Sequence, residues 1–151
     1  MIHELEKMCR QKDFETATAE DIICKINVNQ VFLSSKYRMD TTLLSCAADE
    51  ANYKMVELLL KHGANPNLVY GEKYHEENVL WELQYSSDDD EEDDVIRLNI
   101  VKLLLENGAN PHLKVDGEDL YHWATACWQD DMGIQAKYRS RFIDLLEDYG
   151  A

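Results

Sequence analysis

Two stretches of the chain are apolar at every position but one and end shortly before a glycine. Residues 55–60 read MVELLL before Gly63, and residues 100–105 read IVKLLL before Gly108. Apolar residues at this density cover more than half of a helix circumference, which predicts helices that pack on several sides. A glycine after the last turn can adopt positive φ and end the helix, and the proline three residues later prevents its continuation. Each stretch therefore predicts a helix followed by an extended exit.

Each of these helices needs a partner helix, and three polar residues mark where the partner helices start. Thr42, Asn78 and Asp119 are good N-cap residues, and each precedes a short apolar stretch. The last of them leads on to a further apolar segment, FIDLLEDYGA, which closes with Gly150. The same order of elements thus occurs three times: a turn, a helix, a reversal, a second helix and a terminal glycine.

These segments resemble the ankyrin repeat. TLLSCAA at 42–48 and DGEDLYHWAT at 116–125 look like the opening of its first helix, and VELLLKHGANPN and VKLLLENGANPH look like its second helix and exit. The resemblance implies an all-α fold, an ankyrin-repeat solenoid of stacked helix-turn-helix units with hairpin-like arms. It also implies a concave face that binds proteins without catalysis. We expect a small stand-alone protein of the bacterial type.

The spacing of the glycine exits predicts a single domain with insertions. Gly63 and Gly108 are 45 residues apart, and Gly108 and Gly150 are 42 apart, whereas the ankyrin period is about 33. The excess falls between the two helices of a unit in both cases. Within a single domain spanning 1–151 we expect a degenerate N-terminal capping unit (1–38), a repeat (39–71), a repeat with an acidic insertion at about 85–94 (72–115), and a C-terminal capping repeat with an insertion at about 126–137 (116–151).

The charge of the chain indicates which partners are compatible with it. Fifteen Lys and Arg residues stand against 30 Asp and Glu residues, which leaves a formal net charge of -15. Nucleic acid and anionic membranes would be repelled, whereas a basic protein would be attracted. No apolar run approaches the roughly 20 residues that cross a bilayer. We therefore expect a cytoplasmic protein, monomeric on its own, that binds a basic protein and neither nucleic acid nor a membrane.

Residues 88–94 form a run of seven consecutive carboxylates. Their mutual repulsion predicts an extended and mobile loop. A solvated loop without function, docking to a basic protein and calcium binding remain as alternatives. Calcium is the weakest of them, because a calcium-binding loop of the helix-loop-helix type needs a central Gly and a final Glu. Counted from Asp88, the chain has Asp93 and Asn99 at these two positions. We expect no cofactor and no dedicated metal site.

The cysteines and histidines give little sign of catalysis. Cys9, Cys24, Cys46 and Cys127 lie far apart, which predicts reduced and buried thiols rather than a zinc site or a disulfide framework. The five histidines are scattered, and neither a nucleophile motif nor a glycine-rich phosphate loop is present. These features predict a protein that is not an enzyme.

Acidic and aromatic side chains near the predicted arms and insertions are the candidate contacts with a partner. Exposed Tyr and Trp are frequent anchors of interfaces because they bury a large area at low entropic cost. We hypothesise a non-catalytic protein-binding module, in its sharpest form an immunity-type inhibitor of a basic toxin or nuclease. A divalent-metal-responsive protein and a generic scaffold are the alternatives. The residues that we predict to contact the partner are Tyr37, Arg38, Asp49, Glu50, Tyr74, Glu77, Tyr85, Asp88, Asp89, Asp90, Glu91, Glu92, Glu118, Trp128, Asp130 and Asp131.

Overall fold

The described part of the chain is mostly helical, with a few short strands. The computed structural model describes residues 1–85, 91–126 and 134–151, with residues 134 and 135 described through their backbone alone. The helices are α1 (Ile2–Cys9), α2 (Thr16–Ile23), α3 (Leu43–Asp49), α4 (Tyr53–Lys61), α5 (Val79–Glu82), α6 (Glu91–Glu106), α7 (Leu120–Ala126) and α8 (Ile134–Asp148). The strands are β1 (Phe32–Leu33), β2 (Asp40–Thr41), β3 (Lys114–Val115) and β4 (Glu118–Asp119).

The three predicted helix starts are confirmed. The side chains of Thr42, Asn78 and Asp119 accept hydrogen bonds from backbone N–H groups in the first turns of α3, α5 and α7, at distances of 3.2, 2.8 and 2.9 Å. The predicted exits are confirmed as well, because φ is 90° at Gly63 and 91° at Gly108. A side chain at these two positions would strain the backbone even though there is space for it.

Successive helices pack in pairs and share one hydrophobic core. Contacts within pairs join α1 to α2, α3 to α4, and α7 to α8. Contacts between pairs join α1 to α3 and α3 to α5 on one side, and α4 to α6 and α6 to α8 on the other. Leu5, Leu43, Leu59, Leu104 and Phe142 are fully buried in a single cluster that takes residues from each of the eight described helices. The core therefore runs the length of the described chain.

The repeated Gly-Ala-Asn-Pro segment has a structural explanation, because the backbone of each copy binds the side chain of an asparagine earlier in the chain. Oδ1 of Asn29 accepts a hydrogen bond from the backbone N–H of Asn65 at 2.7 Å, and Oδ1 of Asn67 accepts one from Asn110 at the same distance. In both cases the side-chain amide also donates to the carbonyl of the glycine that ends the next long helix, at 3.1 and 2.9 Å. The segment therefore occurs twice because each copy takes part in the same kind of junction.

A buried asparagine makes a second kind of junction, which the sequence alone does not predict. Asn52 is 2% exposed and caps α4, since its Oδ1 accepts from the backbone N–H of Met55 at 3.1 Å. Its Nδ2 donates to the carbonyl groups of Met8, Cys9 and Gln11 at 3.3, 3.0 and 3.0 Å. One side chain thus starts α4 and also satisfies the end of α1.

The prediction of an extended acidic loop is wrong for residues 91–94, which form the first turn of α6. Free N–H groups and the positive end of the helix dipole stabilise carboxylates there, and this effect offsets the mutual repulsion of the carboxylates. Asp93 also lies 3.2 Å from Nζ of Lys12, in the loop between α1 and α2. Residues 134–137 of the second predicted insertion likewise belong to α8. The remaining acidic residues of the run, 88–90, lie outside the described residues.

The cysteine prediction holds in part. Cys9, Cys24 and Cys46 are free thiols. Cys9 is buried and Cys46 is half-buried, but Cys24, directly after the last residue of α2, is exposed. Cys127 lies outside the described residues.

Candidate partner-binding surface

Three antiparallel pairings lie between helices along the chain, and we call the segments that contain them the first, second and third arms. In the first arm (residues 32–41), β1 and β2 pair antiparallel. In the second arm (residues 70–77), an antiparallel bridge joins Tyr70 and Glu77. In the third arm (residues 114–119), β3 and β4 pair antiparallel. Tyr37, Arg38, Tyr74, Glu77 and Glu118, all predicted contact residues, lie on these arms.

The first arm is anchored to α1 by Glu6, which is 0% exposed. Ser34 Oγ donates to Glu6 Oε1 at 2.6 Å, and Ser35 Oγ donates to Oε2 at 2.8 Å. Nδ1 of His3 lies 2.9 Å from Oε2. Burial by itself would raise the pKa of Glu6, but the hydrogen bonds from Ser34, His3 and Ser35 outweigh burial and lower the pKa to about 2. The carboxylate is therefore ionised and fully engaged.

This anchor fixes the loop that carries two predicted contact residues. Ser34 Oγ accepts hydrogen bonds from the backbone N–H groups of Lys36 and Tyr37, at 3.2 and 3.1 Å. Arg38 follows in the left-handed region, with φ of 56°. Glu6 is absent from the predicted contacts, although one signal pointed to it: it lies one helical turn after Ile2, within the apolar face of α1. A carboxylate on such a face needs partners.

The first arm also reaches the end of α3. The hydroxyl of Tyr37 donates to Glu50 Oε1 at 3.2 Å, and Nζ of Lys36 lies 3.0 Å from the same oxygen. Asp49 lies beside them, and its carboxylate is 3.8 Å from the guanidinium of Arg97 in α6. The structure thus brings together Tyr37, Asp49 and Glu50, three of the predicted contacts.

A cavity of about 240 Å³ lies between the first arm, α3, the end of the second arm and the last residue of α5. We call it the first-arm groove. It brings together Tyr37, Asp49 and Glu77, which were predicted, with residues that the sequence did not single out. Tyr37 and Met39 are 48% and 53% exposed, so the groove offers an accessible apolar wall. Its lining residues are Ser34, Tyr37, Met39, Asp40, Thr41, Ser45, Cys46, Asp49, Glu77 and Glu82.

Glu82 is the most perturbed acid of the groove. Burial, and next the charge of Glu77, raise the pKa of Glu82 to about 8. The hydroxyl of Tyr70 lies 3.0 Å from Glu82 Oε1 and 3.1 Å from Oγ of Ser45. Burial also raises the pKa of Tyr70, so this phenol stays protonated and can donate. Glu82 sits on a four-residue helix of weak periodicity, and for that reason its burial was hard to predict.

The tips of the second and third arms are joined by Asp116. Its Oδ1 accepts from the backbone N–H of Tyr74 at 2.7 Å, and its Oδ2 accepts from that of Glu76 at 3.0 Å. In return the Asp116 N–H donates to Glu76 Oε2 at 2.8 Å. Tyr74 is 75% exposed at this junction, and Glu118 is exposed on β4. The Asp-Gly pair at 116–117 signals a turn in the sequence but not this contact.

The other predicted residues lie outside the arms. Tyr85 follows α5, where its carbonyl accepts from Arg97 at 3.2 Å and the Arg139 guanidinium is 5.2 Å from its ring. Glu91 and Glu92 are exposed in the first turn of α6. Six predicted contacts fall outside the described residues: Asp88, Asp89, Asp90, Trp128, Asp130 and Asp131.

Within 1–85, 91–126 and 134–151, no three or more His, Cys, Asp or Glu side chains are grouped so as to hold a metal ion. Over the same ranges, every helix is too short or too polar to cross a bilayer.

Comparison with known families supports the resemblance seen in the sequence. The ankyrin repeat family model matches residues 39–70, which hold β2, α3, α4 and the start of the second arm. The chain therefore contains an ankyrin repeat, and the predicted resemblance is confirmed. No curated protein matches the chain. Ankyrin repeats are generally protein–protein interaction modules.

Proposed function

We propose that this chain is a non-catalytic module that binds a basic protein through its arms and the first-arm groove. One observation carries the proposal: the groove combines an exposed apolar wall with carboxylates that have no cationic partner. Among the described residues, no Lys, Arg or His side chain pairs with Asp40, Glu77 or Glu82. A basic partner would supply the missing charges, and Tyr37 and Met39 would supply buried area.

The proposal includes a stacked arrangement of the helix pairs in one row, which would leave the arms side by side. Two observations support it. The contacts between pairs follow one order, with α1, α3 and α5 in one series and α4, α6 and α8 in the other. The Asn29 and Asn67 junctions repeat with the same geometry. The four units at 1–38, 39–71, 72–115 and 116–151 are part of this proposal.

The net charge supports a basic partner and electrostatic steering. At -15 the chain would attract a cationic surface over a distance of about 10 Å at 0.1 M salt. An inhibitor that covers a basic toxin or nuclease is the sharpest form of the proposal. In its simplest form, the proposal describes a cytoplasmic monomer that binds neither nucleic acid nor membranes. We propose residues 88–92 of the acidic run as an auxiliary contact, since Glu91 and Glu92 are exposed.

The experiment is affinity capture from an extract of the native cell with three immobilised proteins. These are the wild type, a Tyr37→Ala/Tyr74→Ala double variant of the arms, and Tyr53→Ala, a matched control on α4. Tyr37, Tyr74 and Tyr53 are all exposed. Because exposed aromatic anchors contribute about 1–2 kcal/mol each, the double variant should bind at least about tenfold more weakly.

The expected result is a basic protein retained by the wild type and by Tyr53→Ala and lost from the double variant. Its association rate with the purified wild type should fall steeply as ionic strength rises. Equal capture by all three proteins would refute the arms as the binding surface. A rate indifferent to salt would refute electrostatic steering.

A further inference from the structure

The first-arm groove has the size and the lining that suit one long cationic side chain. Water occupies about 30 Å³ per molecule in the liquid, so a cavity of about 240 Å³ has room on the order of eight non-hydrogen atoms. That excludes a helix or a strand and admits a single side chain. Tyr37, Met39 and Cys46 contribute apolar surface to the groove, and Asp40, Asp49, Glu77 and Glu82 contribute carboxyl groups. Lysine and arginine side chains match both features, because each combines an apolar stem with a charged head.

The groups that face Glu82 come from several elements, and most of them are acidic. Its own helix α5 follows Glu77, and α3 contributes Asp49. The Cys46 thiol of α3 is neutral, because burial raises its pKa to about 11. Two cations lie nearby: Arg97 of α6 is 3.8 Å from the carboxylate of Asp49, and Lys36 of the first arm has its Nζ 4.7 Å from the centroid of the Tyr37 ring and 3.0 Å from Glu50. The titratable and charged groups around the groove are Lys36, Tyr37, Asp40, Cys46, Asp49, Glu50, Tyr70, Glu77, Glu82 and Arg97.

The groove thus has more acidic groups than cations. Glu77 and Glu82 both line the groove, and burial together with the charge of Glu77 raises the pKa of Glu82 to about 8, so Glu82 holds a proton at neutral pH. In the free protein that proton takes the place of a cation. A charged side chain that enters the groove would remove the need for it.

We infer that the first-arm groove binds one lysine or arginine side chain of the partner protein, and that its entry releases one proton from the Glu77–Glu82 pair. The inference rests on the proposed function and names the side chain that the partner inserts. The cation enters with its charge, the proton leaves to solvent, and the net charge within the groove is unchanged. Binding should therefore strengthen as the pH rises toward 8, by up to about tenfold per pH unit.

The experiment uses two blocked tripeptides as probes, acetyl-Gly-Arg-Gly-amide and acetyl-Gly-norleucine-Gly-amide. The second has an apolar side chain of similar length without the charge. The full chain, with ¹³C-labelled Glu side chains, is titrated with each probe by NMR at pH 6.0 and 8.5. The carboxyl shift of Glu82 is then followed from pH 4 to 10 with and without saturating arginine probe.

We expect the arginine probe to shift resonances of Tyr37 and Glu82, to bind more tightly at pH 8.5 than at pH 6.0, and to move the Glu82 titration to lower pH. Glu82→Gln should weaken its binding at pH 8.5 at least fivefold, whereas Glu57→Gln, an exposed control on α4, should not. Glu77→Gln is a second variant in case Glu82→Gln does not fold. Equal binding of the two probes, no binding of either, or an unmoved Glu82 titration would overturn the inference. The proposed function would survive that result if capture of the partner still depended on Tyr37 and Tyr74.

Discussion

Replacement of Asn52 by alanine should destabilise the protein strongly, although one amide group is all that is lost. The cap on α4 contributes about 1 kcal/mol. The two hydrogens of Nδ2 serve buried carbonyl groups at the end of α1, and each hydrogen bond is worth about 1 kcal/mol. The expected loss is therefore about 3 kcal/mol. That is a large share of the 5–15 kcal/mol typical of a domain.

Urea unfolding followed by circular dichroism measures this loss for Asn52→Ala and two comparison variants. Asn52→Asp keeps the cap but turns a carboxylate toward three carbonyl groups, so we expect it to be at least as destabilising as alanine. Asn107→Ala is the matched control, because Asn107 is exposed directly after α6 and its amide donates to the carbonyl of Leu103 in the last turn of that helix. It should cost less than about 0.5 kcal/mol. A loss below about 1 kcal/mol for Asn52→Ala would refute the claim that this side chain joins the first two helix pairs.

Three further predictions concern Glu6, Glu82 and Asp116. Glu6→Gln should lower the free energy of unfolding by about 3 kcal/mol at pH 7, as measured in urea. Because the pKa of Glu6 is lowered from 4.5 to about 2, the stabilisation by the ionised Glu6 is present above pH 4.5 and is lost as the pH falls toward 2. The pKa of Glu82 is raised, so its effect on stability is opposite: wild-type stability should fall as the pH rises from about 4.5 to 8. Glu82→Gln should flatten that decline, and a decline of equal slope in both proteins would contradict this. Asp116→Ala should free the tip of the second arm and speed tryptic cleavage after Lys73 severalfold, whereas Asp144→Ala on α8 should leave the rate unchanged.

The elements that the sequence predicts correctly are those with local causes. Thr42, Asn78 and Asp119 cap helices that begin at the next residue, and the glycine exits follow from backbone preference alone. Both depend on neighbours within a few positions, which the sequence shows directly. For the same reason the arms and the pairing of helices were predictable once the repeat was found.

The features that escaped prediction depend on distant partners. Glu6 is satisfied by serines 28 and 29 positions later, and Asn52 by carbonyl groups more than 40 positions earlier. Neither partner set has a sequence signature. Residues 91–94 were misjudged for another reason: repulsion among carboxylates was weighed without the helix N-terminus that stabilises them.

The central claim is that the arms and the first-arm groove form the binding surface. Hydrogen–deuterium exchange of the purified complex with the captured partner, compared with the free chain, tests it most directly. The account predicts slower exchange at residues 34–41 and 70–77 and at Glu118 in the complex, with α4 and α8 unchanged. Protection confined to α4, α6 or α8, with exchange in the arms as fast as in the free chain, would contradict it.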